Sequence, residues 1–261
     1  MTHGARGLIA TSVLVMGVTA IVVGMGSARG DEVVPLSVSW AKTPPVPDRQ
    51  IDTSGTFPAV SDAGLHLTWA NLGIRRALID DEDRFAAYVR SHPADPRTAP
   101  GQYETSPKVG LMSASSVVVS ALIPAIEILP GLNGGATWVS MTVNSASGRQ
   151  VRLADLFIHP AQGLKTLAAE ARRRLVHDNI CVRDSVAGVA SGDFPASGFN
   201  PTFSNYRFFA LLARGIAIGF PGEQVSNPVC GRVSITVPYK PLAPYLSVSG
   251  KQLIAGVRAA H

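Results

Sequence analysis

The sequence predicts an α+β fold of antiparallel strands and a few packed helices, and three observations carry that prediction. Over 160–177, Leu164, Leu167, Ala168, Ala171 and Leu175 form one apolar stripe at helical spacing, with Lys165, Arg172 and Arg173 off it. Ile216, Ile218 and Phe220, then Val233, Ile235 and Val237, alternate with small or polar residues, which predicts a hairpin with one buried face joined through 221–231. The β-branched stretch 109–128 is followed by a turn over 129–135 and by the alternating run 138–143, which predicts a second strand pair.

The remaining elements follow in chain order. Residues 7–28 carry no charge, are flanked by Arg6 and Arg29, and read as an export signal within a leader spanning 1–30. The small residues Gly26, Ala28 and Gly30 fit cleavage after Ala28 or Gly30, whereas 22 uncharged residues also suffice for a retained N-terminal anchor. Either outcome, with Arg6 inside, places the body outside the cytosol. Residues 31–51, with Pro35, Pro44, Pro45 and Pro47, read as a Pro-rich linker. From Trp69, the positions Leu72, Ala77, Leu78, Phe85 and Val89 keep helical spacing. The cluster Asp80-Asp81-Glu82-Asp83 predicts an interruption there, with acids restarting the helix at its positive end. Pro124 marks an interruption or a sheet edge, 184–202 is a Gly, Ala, Ser and Pro rich loop, and 251–261 is a frayed tail.

Composition narrows the partners. A charged fraction of 16% lies well under the roughly 25% usual for soluble domains, and the net charge of +5 comes from scattered arginines whose only run is Arg172-Arg173-Arg174. That run reads as a solvated helix face, and with no nucleic-acid motif in the chain, nucleic acid is not an expected partner. The two cysteines, Cys181 and Cys230, both lie in the exported part, where pairing is the default.

No residue constellation reaches a chemical mechanism. There is no Gly-x-Ser-x-Gly turn, HExxH or CxxC, so neither a metal nor a cofactor is expected. Of six histidines, His3 falls in the leader and His261 in the tail. The best triad that can be assembled is His177 with Asp178 and Ser191 or Ser197; its competing reading is a helix-terminal histidine at the negative dipole end. His66 and His159 read as surface or capping residues, and His92 is the remaining candidate base.

Several short motifs, taken in order, carry a resemblance. They are Phe57-Pro58, Gly134-Gly135-Ala136, the run Gly148 to Phe157 (GRQVRLADLF), Asn205 to Ala210 (NYRFFA), Gly215 to Phe220 (GIAIGF) and Val237-Pro238-Tyr239. In this order they resemble the secreted immunogenic proteins of mycobacteria, which share a DUF3298-type domain with the extracellular part of lysozyme-sensing anti-sigma factors. The resemblance implies an exported body of two sub-domains, here 52–150 and a DUF3298-like 151–250. In that family the body serves binding or sensing at the cell surface, and one relative is associated with esterase activity. Thr137 stands where the family usually has histidine, so no role of that imidazole carries over. Only six residues precede the apolar stretch, so an anti-sigma role is not expected. The expected function is a non-enzymatic binding or sensing domain, secreted or on the outer face of the plasma membrane, with an unknown envelope or extracellular ligand and membrane anchoring through 7–28 where the leader is kept. A secreted esterase-type hydrolase and a purely structural envelope component are the competing readings.

Overall fold

The computed structural model describes residues 35–43, 51–61, 67–92, 99–106, 110–130, 134–190 and 196–261. The leader and Pro44, Pro45 and Pro47 lie outside these residues. Every described element falls within one unit, 33–261, and no helix among the described residues is long and apolar enough to cross a membrane.

Six strands form the first sheet: β1 (Ser37–Lys42), β2 (Ile51–Ser61), β3 (Gly101–Thr105), β4 (Leu111–Ala114), β5 (Val118–Ile128) and β6 (Gly134–Asn144). β1 corrects the reading of 31–51 as a tether throughout, because Ser37 to Lys42 pairs antiparallel with the second half of β2. Its Ser-Val-Ser-Trp-Ala order has a strand's period of two. The first half of β2 runs parallel to β3, with Ile51 opposite Gly101.

β5 is central. One edge takes β6 along its whole length, and the other takes β3 at Thr105↔Ala125 and β4 at Leu111↔Leu122. Pro124 does not interrupt it. The Pro124 carbonyl accepts the Ser106 N–H at 2.9 Å, and in an antiparallel strand a residue's N and C=O point the same way. The missing N–H therefore faces the gap between β3 and β4, where no strand needs it.

Alternation along β5 gives the sheet two covered faces. Val119, Ala121, Ile123 and Ala125, with Val139, Met141 and Val143 of β6, pack against Ile74, Leu78, Phe85 and Val89 of α1 (Thr68–Ser91). That helix is continuous, which corrects the expected break at 80–83. The apolar stripe resumes in phase at Phe85, and the buried Asp81 has partners: an ion pair with Arg84 and the Tyr103 hydroxyl, which donates at 2.7 Å. Gly148, at φ 64°, sits against the Trp69 carbonyl, leaving no room for a Cβ where α1 meets the turn after β6.

The opposite face carries a second sheet in the order β7 (Phe209–Leu212), β8 (Gly215–Phe220), β9 (Val233–Pro238). β8 is buried along its whole length, so the expected hairpin with one buried face gains a third strand and a covered second face. α2 (Pro160–Asp178) lies against β9 with the predicted stripe inward. α4 (Val248–Ala259) buries Leu253, Ile254 and Val257, which corrects the frayed tail; the Ser247 hydroxyl caps it by accepting the Gly250 N–H at 2.9 Å. α3 (Ile180–Ala190) takes the first part of the expected loop, and Cys181 and Cys230 form a disulfide between α3 and the 3-10 turn Pro228–Cys230.

Several strand edges are satisfied by side chains instead of strands. The Asn71 amide bonds both the N–H and the C=O of Val60 at 2.9 Å. β7 is held on the first sheet by two serines: Ser120 Oγ accepts the Leu211 N–H at 2.7 Å, and Ser140 Oγ donates to the Phe209 carbonyl at 2.6 Å and accepts its N–H at 3.0 Å.

Candidate functional site

The outer edge of β6 is covered at its two ends. The Ala136 carbonyl accepts the Gly222 N–H at 2.8 Å, the Thr142 carbonyl accepts the Val151 N–H at 2.7 Å, and the Asn144 N–H donates to Arg149 at 2.9 Å. Since alternate residues of a strand present their backbone groups to the same edge, Ser140 points its N–H and C=O outward as well. Among the described residues no backbone segment pairs with it there. Just beyond Val151 the chain leaves the edge, and a cleft of about 440 Å³ opens.

Ala77 of α1, Met141, Val151, Leu153, Phe203 and Phe209 give the cleft apolar walls. Two of its polar side chains are already engaged: the Ser140 hydroxyl with Phe209, and the Thr142 hydroxyl with Ser120 at 2.7 Å. The remaining ones are Gln150, Arg152 and Arg207, and no carboxylate is among the described residues that line the cleft. Gln150 reaches Asp80 at 3.4 Å.

Arg207 lies over the neighbouring Phe208 ring, 4.5 Å from its centroid. The residue is exposed overall, yet burial of its charged end, and then Arg84, lower its pKa below the usual guanidinium range. On its other side Arg207 borders a depression of about 240 Å³ shared with Asp81, Arg84, Phe85, Tyr88 and Glu127. Burial, reinforced by Asp81, pushes the Glu127 carboxyl up to about 7 against the pull of Arg207 and Arg84. Burial likewise raises Glu82 to about 7, helped by Asp81 and Asp83. Burial and then Asp81 raise the Tyr103 hydroxyl, which keeps it a donor to Asp81.

The structure does not assemble the residues that the sequence offered for catalysis. His177 Nδ1 meets Asp178 Oδ1 at 2.6 Å, but the pair stands on the last turn of α2 with side chains 84% and 50% exposed, and neither residue lines the cleft. Ser191 and His66 lie outside the described residues, and Ser197 is exposed on the 3-10 turn Ala196–Phe199. His92 packs against the Tyr88 ring at 4.3 Å, and His159 occupies the N-cap position of α2 with no cap bond from its side chain. Two Ser–His contacts occur among the described residues: Ser91 Oγ with the adjacent His92 Nδ1 at 3.0 Å, exposed at the end of α1, and His261 Nε2 with Ser113 Oγ at 3.2 Å. Ser113 is buried in β4, and among the described residues no carboxylate bonds His261. No three His, Cys, Asp or Glu side chains among the described residues gather as metal ligands.

Sequence reasoning missed Ser140 and Arg207. The signal lay in two of the quoted motifs: Gly148 to Phe157 supplies the segment that peels away from β6, and Asn205 to Ala210 supplies Arg207 and Phe209.

No protein-family model matches the chain, and no curated protein matches its sequence. Solved structures do match. A DUF3298 family member from Bacteroides fragilis superposes with a TM-score of 0.55 at 11% identity, covering 86% of this chain and 98% of that one. A DUF3298 family protein from Pseudomonas aeruginosa gives 0.53 at 13% identity, covering 82% and 96%. The chain thus has the α+β fold of DUF3298 proteins from end to end of those structures.

Proposed function

We propose that this protein works outside the cytosol as a non-enzymatic binding domain, secreted or held at the outer face of the membrane through 7–28, and that its envelope or extracellular ligand enters the β6 cleft. One observation carries the reading: an open strand edge, apolar walls and two arginines share a cleft, and no histidine or carboxylate is among the described residues that line it. Such a site is equipped to hold and orient a ligand, and its described residues include no base to activate a nucleophile. The fold shared with DUF3298 proteins supports the DUF3298-type resemblance from which this reading starts. The uncharged stretch beginning at Gly7 supports export.

The reading is tested in two steps. Fractionation and N-terminal sequencing of the natural protein should recover it outside the cytosol. Hydrogen exchange of that protein with envelope fractions should then slow the amides of 138–142 and 150–154. Recovery in the cytosol, or protection confined to other surfaces, would refute it.

A further inference from the structure

We infer that the β6 cleft takes the carboxyl-terminal end of an extended peptide, which adds to β6 beside Ser140 and sets its terminal carboxylate against Arg207. The inference rests on the binding role proposed above and names the chemical class of the ligand.

Three features point to that occupant. The first is the strand edge. The chain covers other strand groups with Asn71 on Val60 and with Ser120 and Ser140 on β7, and it covers β6 itself at Ala136 and Thr142. Between those covers the Ser140 N–H and C=O still face the cleft, and an unpaired strand edge is the template for strand addition. A lipid tail would leave both groups without partners; a peptide backbone supplies a donor and an acceptor at strand spacing.

The second feature is the walls. Successive side chains of an added strand point to opposite sides. The cleft has apolar surface on both, with Ala77 and Met141 on the α1 side and Phe209 on the β7 side, and Phe203 also lines it. Its volume of about 440 Å³ suits a few residues of modest size, not a folded partner. Third comes charge. Among the described residues lining the cleft, Arg152 and Arg207 are the only ionisable ones, and both are cationic. A peptide terminus brings a carboxylate of the right sign, and a guanidinium binds it with two parallel hydrogen bonds.

The test uses the chain without its leader and a fluorescein-labelled tetrapeptide library with apolar side chains and free carboxyl termini, read by polarisation. The best binder is remade as its C-terminal amide and, separately, with its central amides N-methylated. Each change should weaken binding tenfold or more. Arg207→Gln should weaken the free acid by a similar factor and leave the amide unaffected, and Arg207→Lys should restore part of the loss. Phe203→Ala, a change at an exposed position, should weaken both forms, which checks the cleft without unfolding it. Failure of every peptide overturns the inference, and so does equal binding of acid and amide. Dodecanoate that displaces the peptide while N-methylation has no effect would assign the cleft to an amphiphile and overturn it too. In any of these cases, protection of 138–142 by envelope fractions would leave the wider binding role standing; loss of that protection would remove both.

Discussion

Ser120→Ala and Ser140→Ala should each loosen the second sheet from the first, because among the described residues the edge of β7 has no strand partner on that side and depends on two hydroxyls. In Ser120→Ala the Leu211 N–H, bonded at 2.7 Å, stays buried and loses its acceptor, and Thr142 loses its hydroxyl partner. Ser140→Ala strips both backbone groups of Phe209. A buried donor left unsatisfied costs about 1–3 kcal/mol, so each variant should lose roughly 2 kcal/mol. For a unit of this size that lowers the Tm by about 4–8 °C. Guanidinium unfolding should show a lower midpoint at unchanged slope, the mark of lost stability without a change in the denatured state. Ser39→Ala is the control: its hydroxyl bonds the exposed Ala59 carbonyl at 3.3 Å, and its loss should cost under about 0.5 kcal/mol. If the two buried-site variants match Ser39→Ala, the serines do not hold β7 and the account of how the sheets join is wrong.

Three further outcomes follow from the same structure. Gly148→Ala forces a side chain into positive φ against the Trp69 carbonyl; it should cost about 2–3 kcal/mol, read by thermal unfolding. Glu82 and Glu127 are raised from 4.5 to about 7. The folded protein therefore holds protons that the unfolded chain releases, and the stability this gives is complete below about pH 4.5 and lost as the pH climbs through about 7. Glu82→Gln should flatten that fall in a Tm series across the range, with Asp81 and Asp83 unchanged beside it. Cys181→Ala with Cys230→Ala opens a loop of 49 residues' separation, which should cost on the order of 4 kcal/mol in a guanidinium titration, with no thiol reacting in the unreduced parent protein.

What was legible in the sequence was what depends on near neighbours. α2 could be read because five apolar residues recur at helical spacing behind Pro160, and β8 and β9 because their alternation is local. The pairing of Cys181 with Cys230 followed from the count and from the expectation of export. The misreadings share a long-range cause. Asp81 looked like a helix breaker until Tyr103, 22 residues on, supplied its buried donor. α4 looked like a tail because the surface it covers includes Val117, far back in the chain. Pro124 looked like an edge because the gap between β3 and β4 is visible only once both have paired with β5. The site was hidden for the same reason. Ser140 matters through the direction its backbone faces on β6, and Arg207 through what lies across from it, and neither property is written in the adjacent residues.

α4 also sets an order of events. Gly256 lies directly against Val117 at the bend before β5, and Leu253, Ile254 and Val257 complete the second core beside Leu156 and Val118. The first core gathers residues no later than Val143. A ribosome delivers α4 after every other described element, so the front half can settle while the rear half is still waiting for its lid. For a polypeptide threaded N-terminus first through a membrane pore, the same arrangement keeps the rear half pliable until α4 has emerged, and that helix then locks the molecule.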